Sequence, residues 1–150
     1  MRVRAAFVLR LVPLVLVAGC LGGEARLNRA RDALSAGKPA LAERRYAALC
    51  DGRDGDPRLQ IRACLGAARA AAALRDGDAE RRFLERAADL PEVPGLSAEA
   101  YFALAERLRE GDHARALNFY YRAAAAAQRD QRRDLYERSV AAIARLGMSE

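Results

Sequence analysis

Apolar residues recur every three or four positions along most of the chain, the spacing that places them on one side of a helix. The pattern predicts a first helix over 24–36, with Leu27, Ala30, Ala33 and Leu34 on one face, and a second over 39–50 carrying Leu41, Ala42, Tyr46 and Leu49. Gly37-Lys38-Pro39 makes the turn between them, with proline at the start of the second helix, where its missing N–H costs nothing. The third stretch, 57–75, is apolar almost all round: Leu59, Ile61, Ala63, Cys64 and Leu65, then Ala67 to Leu74 broken only by Arg69. That is the pattern of a buried central helix. A fourth helix over 78–90 turns Phe83, Leu84, Ala87 and Leu90 inward. Residues 98–127 read as two amphipathic helices about the turn Glu110-Gly111-Asp112, with Ser97 expected to cap the first. A seventh helix over 130–146 presents Leu135, Tyr136, Val140, Ile143 and Leu146 and stops at Gly147. The fold class that follows is all-α.

The first nineteen residues follow another logic. Arg2, Arg4 and Arg10 precede the short apolar core Leu11 to Ala18, and small residues come next. Eight apolar residues are far fewer than the ~20 needed to span a bilayer, so 1–19 reads as a signal peptide. Val17-Ala18-Gly19-Cys20 resembles the lipobox of bacterial lipoproteins. The resemblance implies cleavage before Cys20, a diacylglycerol on its thiol and an N-acyl lipid on the new amino terminus. Residues 20–23 would be a lipidated tether and 24–150 the folded domain. Leu21 stands where an aspartate would resemble an inner-membrane retention signal. The resemblance therefore implies a lipid-anchored protein on the periplasmic side of the outer membrane, with the inner membrane or the cell surface as alternatives.

Gly37, Gly77 and Gly111 are each preceded three residues earlier by leucine (Leu34, Leu74, Leu108), and 34 residues separate the last two glycines. Gly111, Ala116, Tyr120 and Ala123 stand at positions that resemble the second-helix signature of a tetratricopeptide repeat. Gly37, Ala42 and Tyr46 keep the same offsets, and Tyr101, Leu104, Ala105 and Leu108 resemble the first-helix set. The small residue permits close helix crossing and the aromatic fills the space one turn later. The second unit departs: Arg82 and Arg86 fall at the small and aromatic positions, so Phe83 and Ala87 are expected to serve with a one-residue shift. The implied architecture is an α-α superhelix of about three tetratricopeptide-like antiparallel helix pairs, closed by a C-terminal capping helix. The alternative is a helical bundle without repeats.

Removing 1–19 leaves 23 basic against 20 acidic residues, too small an excess to point to nucleic acid. Of the 26 basic residues of the whole chain, 25 are arginine and only Lys38 is lysine, scattered on helix faces where solvated charge is the default. Beyond Cys20 two cysteines remain, Cys50 at the end of the second helix and Cys64 about two turns into the third. In an oxidising compartment, and with those helices antiparallel, they can form a disulfide; otherwise they are small buried hydrophobes. No catalytic constellation assembles around the single histidine, His113. The aspartates of 51–56 lack calcium-loop spacing and read as turn chemistry, with Asp56 as a helix N-cap. Neither an enzyme, a metal, a cofactor nor a small-molecule substrate is expected. Recognition is. The repeat resemblance places Glu99, Phe102, Glu106 and Arg109 on a concave partner groove, with Phe102 either an exposed anchor for an envelope protein or peptide, or core beneath the seventh helix.

Overall fold

The computed structural model describes residues 13–52 and 55–148, with side chains from Gly22 onward. Residues 1–12 of the expected signal peptide and the Cys20 side chain lie outside what is described. Among the described residues there are seven helices and no strand: α1 (Pro13–Ser35), α2 (Pro39–Cys50), α3 (Pro57–Ala73), α4 (Gly77–Asp89), α5 (Ser97–Leu108), α6 (His113–Arg129) and α7 (Arg133–Gly147). They form three antiparallel pairs, α1–α2, α3–α4 and α5–α6, with α7 packed on the last. The odd-numbered helices touch in succession, α1 to α3, α3 to α5 and α5 to α7, which winds the pairs into an α-α superhelix with those helices along one side.

Turn chemistry sets the repeat. Asp56, Asp76 and Asp112 cap α3, α4 and α6, accepting hydrogen bonds from the backbone N–H of Arg58 (3.0 Å), Ala79 (2.9 Å) and Arg115 (3.1 Å). Each cap contributes about 1 kcal/mol. Helices α1, α3 and α6 end in one motif, with Gly37, Arg75 and Gln131 in the left-handed region at φ 70°, 59° and 57°. The next residue's N–H reaches back to the carbonyl of Ala33, Ala71 or Ala127 and satisfies an orphan acceptor. By this alignment Arg75, not Gly77, is the structural counterpart of Gly37, and Gly77 is the first residue of α4.

That two-residue correction realigns the second unit but leaves Glu80 at its small position. Ala42, Tyr46 and Leu49 in α2 match Ala116, Tyr120 and Ala123 in α6 when counted from N-caps Lys38 and Asp112. Counted from Asp76, the aromatic position of α4 falls on Leu84, which is buried, while the expected Phe83 is only half-buried. Alanine fills the helix crossings: Ala42, Ala67, Ala70, Ala105, Ala116 and Ala123 are fully buried. Ile61, Tyr101, Leu104 and Tyr120 are the large side chains sealed between them. Helix α3 touches α1, α2, α4 and α5, so it is central as its composition implies; Arg58, Arg69 and its final turn reach the surface, and Leu74 just beyond it is exposed.

Three further expectations change. The stretch Leu21-Gly22-Gly23, read as a tether, is helical and continuous with α1. At Gly23 an added Cβ would stand 2.7 Å from the Leu59 side chain, so α1 packs against α3 already at this point. Ser97 is the first residue of α5 rather than its cap, and its hydroxyl accepts from Val93 N–H in the preceding loop (2.7 Å). Helix α7 turns Leu135, Ser139 and Ala142 inward and leaves Tyr136 and Val140 exposed, because it packs on one side only. The Ser139 hydroxyl donates to the Leu135 carbonyl (2.8 Å), which satisfies it without a partner from another helix. The loop before α5 is clamped from the other end of the chain: Asp130 accepts from Gly95 N–H (2.6 Å), and Arg129 pairs with Glu92 (2.7 Å).

Candidate partner-binding surface

The side made by α1, α3 and α5 is where the four groove residues were expected, and the structure separates them. Phe102 is 9% exposed. Its ring meets the Tyr120 ring edge-on at 5.7 Å, and the Arg138 guanidinium of α7 lies over it at 4.4 Å. An exposed Phe102 anchor is therefore excluded, and the residue belongs to the core under α7. Glu106 is held from below by the Tyr120 hydroxyl, which donates to it, and from the side by Arg109 at 3.5 Å. Glu106 thus serves the α5–α6 packing, while Arg109 is exposed and pairs only with Glu106 and Glu110 beside it. Glu99 alone faces an open cleft, paired with Arg69 of α3 at 2.6 Å.

That cleft, of about 140 Å³, lies among Arg31 of α1, Tyr46 of α2, Arg62, Gly66 and Arg69 of α3, and Glu99 of α5. Tyr46 reaches it because Gly66 has no side chain: an added Cβ would stand 2.5 Å from the ring. The ring is buried, and among the described residues its hydroxyl has no hydrogen-bond partner, so the phenol offers a donor to whatever enters. Burial raises the Tyr46 pKa, an effect opposed by the guanidinium groups of Arg31 and Arg69, so the proton stays in place at neutral pH. Arg62 pairs with Glu24 at the end nearer the start of α1, and among the described residues Arg31 makes no ion pair. The surface can thus bind by hydrogen bonding and charge. A group of three or more metal-ligating side chains does not occur among the described residues, and His113 is exposed at the start of α6.

Sequence reasoning missed Arg31, Tyr46 and Arg62 as surface residues. A signal was present: Arg62, Gly66 and Arg69 are spaced to share one face of a helix otherwise full of alanine. The tyrosines also set an alkaline limit. Tyr120 is raised further than Tyr46, by burial first and then by its bond to the Glu106 carboxylate. A folded-state pKa above the unfolded value of about 10 gives stability that is intact below pH 10 and lost as pH rises beyond it. The melting temperature should therefore fall above about pH 10, and Tyr120→Phe should flatten that fall in a thermal series. An identical fall in the variant would show that Tyr120 is not its source.

The Cys50 and Cys64 sulfurs are bonded, with 4.8 Å between the α-carbons, and join the end of α2 to the second turn of α3. The bridge sits beneath the cleft's α2–α3 wall, so the Tyr46 and Arg62–Arg69 sides are held covalently as well as by packing. Compared with family models, curated proteins and solved structures, the chain matches none.

Proposed function

We propose that this protein is a lipid-anchored adaptor of the bacterial envelope, without catalytic activity, that holds another envelope protein or peptide on the α1–α3–α5 side. The anchor is read from Val17-Ala18-Gly19-Cys20, with diacylglycerol and an N-acyl chain on Cys20, and from Leu21 the periplasmic face of the outer membrane. The repeat arrangement, of tetratricopeptide character in its spacing, supports a protein-binding scaffold. The observation that carries the reading is the cleft at Tyr46, where a phenol and Arg31, neither of them partnered among the described residues, are framed by four helices.

The test is cross-linked affinity capture from envelopes with the wild type and with Arg31→Glu plus Tyr46→Phe. Both positions sit in the cleft and neither removes an ion pair. A partner that disappears in the variant supports the cleft. Recovery of the same proteins from both would refute it and favour the second reading, a structural lipoprotein with no groove. That second reading has its own support in Phe102, which lies under Arg138 instead of facing a partner.

A further inference from the structure

Charge is distributed unevenly along the superhelix. From Cys20 to Cys50 there are six basic and three acidic residues; from Asp51 to Glu150 there are seventeen of each. The positive excess of the chain after residue 19 therefore resides in the first helix pair. Ion pairing by basic residues is confined to the later part, although Arg58, Arg75, Arg82, Arg86, Arg122 and Arg138 there also form none among the described residues. Nine arginines between Arg62 and Arg133 form ion pairs with carboxylates. Among the described residues Arg26, Arg29, Arg31, Lys38, Arg44 and Arg45 form none.

Four of these six share one open hollow. Arg26 and Arg29 of α1 and Arg44 and Arg45 of α2 line it with Ala48, and no carboxylate lines it. Arg45 Nη1 donates to the Arg29 carbonyl at 2.9 Å, tying the two helices across the hollow. Four guanidinium groups held together without a counter-charge repel one another, and an external anion relieves that repulsion. The planar fork of arginine suits phosphate oxygens in particular.

We infer that this α1–α2 hollow is a docking surface for an anionic phospholipid bilayer, seated on lipid phosphate groups. The inference rests on the lipid-anchor reading of Cys20. Arg26 and Arg29 are six and nine residues beyond Cys20 along α1, which at 1.5 Å per residue is about 9 and 14 Å. Helix α2 runs back antiparallel and brings Arg44 and Arg45 to the same end. A chain tethered at Cys20 thus keeps the hollow within about one or two screening lengths of the membrane, where each arginine adds attraction to anionic head groups. The tether supplies the proximity and the arginines the orientation: α1–α2 lies against the lipid.

The experiment uses the full chain carrying Cys20→Ser, so that no acyl chain contributes. Its sedimentation is compared with phosphatidylcholine vesicles and with vesicles containing about 30 mol % phosphatidylglycerol. The residual leader carries Arg2, Arg4 and Arg10 and favours anionic vesicles itself, but it is the same in every protein compared, so the change in the affinity ratio between the parent and each variant is the readout. A preference of about tenfold or more for anionic vesicles at low salt, collapsing at high salt, is the expected result. Arg26→Gln, Arg29→Gln, Arg44→Gln and Arg45→Gln together should remove most of that preference, leaving only what the leader supplies. A control with the same charge loss, Arg58→Gln, Arg75→Gln, Arg82→Gln and Arg86→Gln, should retain most of it. Helicity measured by circular dichroism identifies any variant that fails to fold. Equal losses in the two sets, no preference in the parent, or tighter binding of polyuridylate than of vesicles through the hollow would each overturn the inference. Fatty-acid labelling of Cys20 in cells is a separate readout: without label the anchor reading fails, while the vesicle ratio still judges the hollow.

Discussion

Gly66→Ala is expected to destabilise the protein by about 1–3 kcal/mol, opposite in sign to the usual effect of that change inside a helix. At an open helical site alanine gains up to about 1 kcal/mol over glycine by restricting the unfolded chain. At Gly66 the new methyl would stand 2.5–2.7 Å from three atoms of the Tyr46 ring. That ring is buried at 5% exposure and cannot swing aside as a flexible chain end would. Either α2 and α3 separate or the ring leaves the cleft. Gly22 is the internal control, a helical glycine with nothing within 4 Å of an added Cβ. Gly22→Ala should be neutral or mildly stabilising. Urea unfolding of both variants decides the matter, and Gly66→Ala at or above wild-type stability would remove the close-packing account of the cleft.

Replacing Cys50 and Cys64 together with alanine should cost about 3 kcal/mol, since the bridge closes a loop across a sequence separation of 14 residues. Both side chains are fully buried, so the alanines add a small loss of packing to the loop-closure term. For a domain of this size the melting temperature should drop by roughly 10 °C. Wild-type protein under a strong thiol reductant should approach the same value. If neither treatment lowers the melting temperature by more than about 2 °C, the crosslink contributes nothing beyond packing.

Local information reached a good part of this architecture. Proline at Pro39 and Pro57, with Asp56 just before the latter, fixes two helix starts by backbone chemistry, and α2 and α3 begin at those residues. The three- and four-residue apolar spacing places Leu27, Ala30, Tyr46, Leu104 and Tyr120 in the core because each helix must bury one stripe against its neighbour. What local signals could not reach depends on other elements. Phe102 shares its helix face with Glu99 and Glu106, and its ring is covered by Tyr120 and by Arg138, 36 residues away on a helix whose placement no short pattern encodes. Gly77 stands as the repeat counterpart of Gly37 in sequence, yet the left-handed turn falls on Arg75, a conformation arginine adopts only because the surrounding bonds hold it there. In α7 a helix with apolar residues on two stripes can bury only one where a single side meets the array. The cleft at Tyr46 combines residues from α1, α2, α3 and α5, so it exists only after the pairs have stacked.

The crosslink also has a mechanical consequence. A stack of helix pairs held by nearest-neighbour contacts peels from its ends, one unit at a time, when tension is applied there. The Cys50–Cys64 bond joins the first pair to the second rather than closing either pair on itself. Tension entering at the start of α1 can still unravel α1 and α2, but on reaching Cys50 it passes through the covalent bond straight to Cys64 in α3, which touches four other helices. The loop and the first turns of α3 are thereby shielded from extension, and further unravelling has to begin inside the central helix.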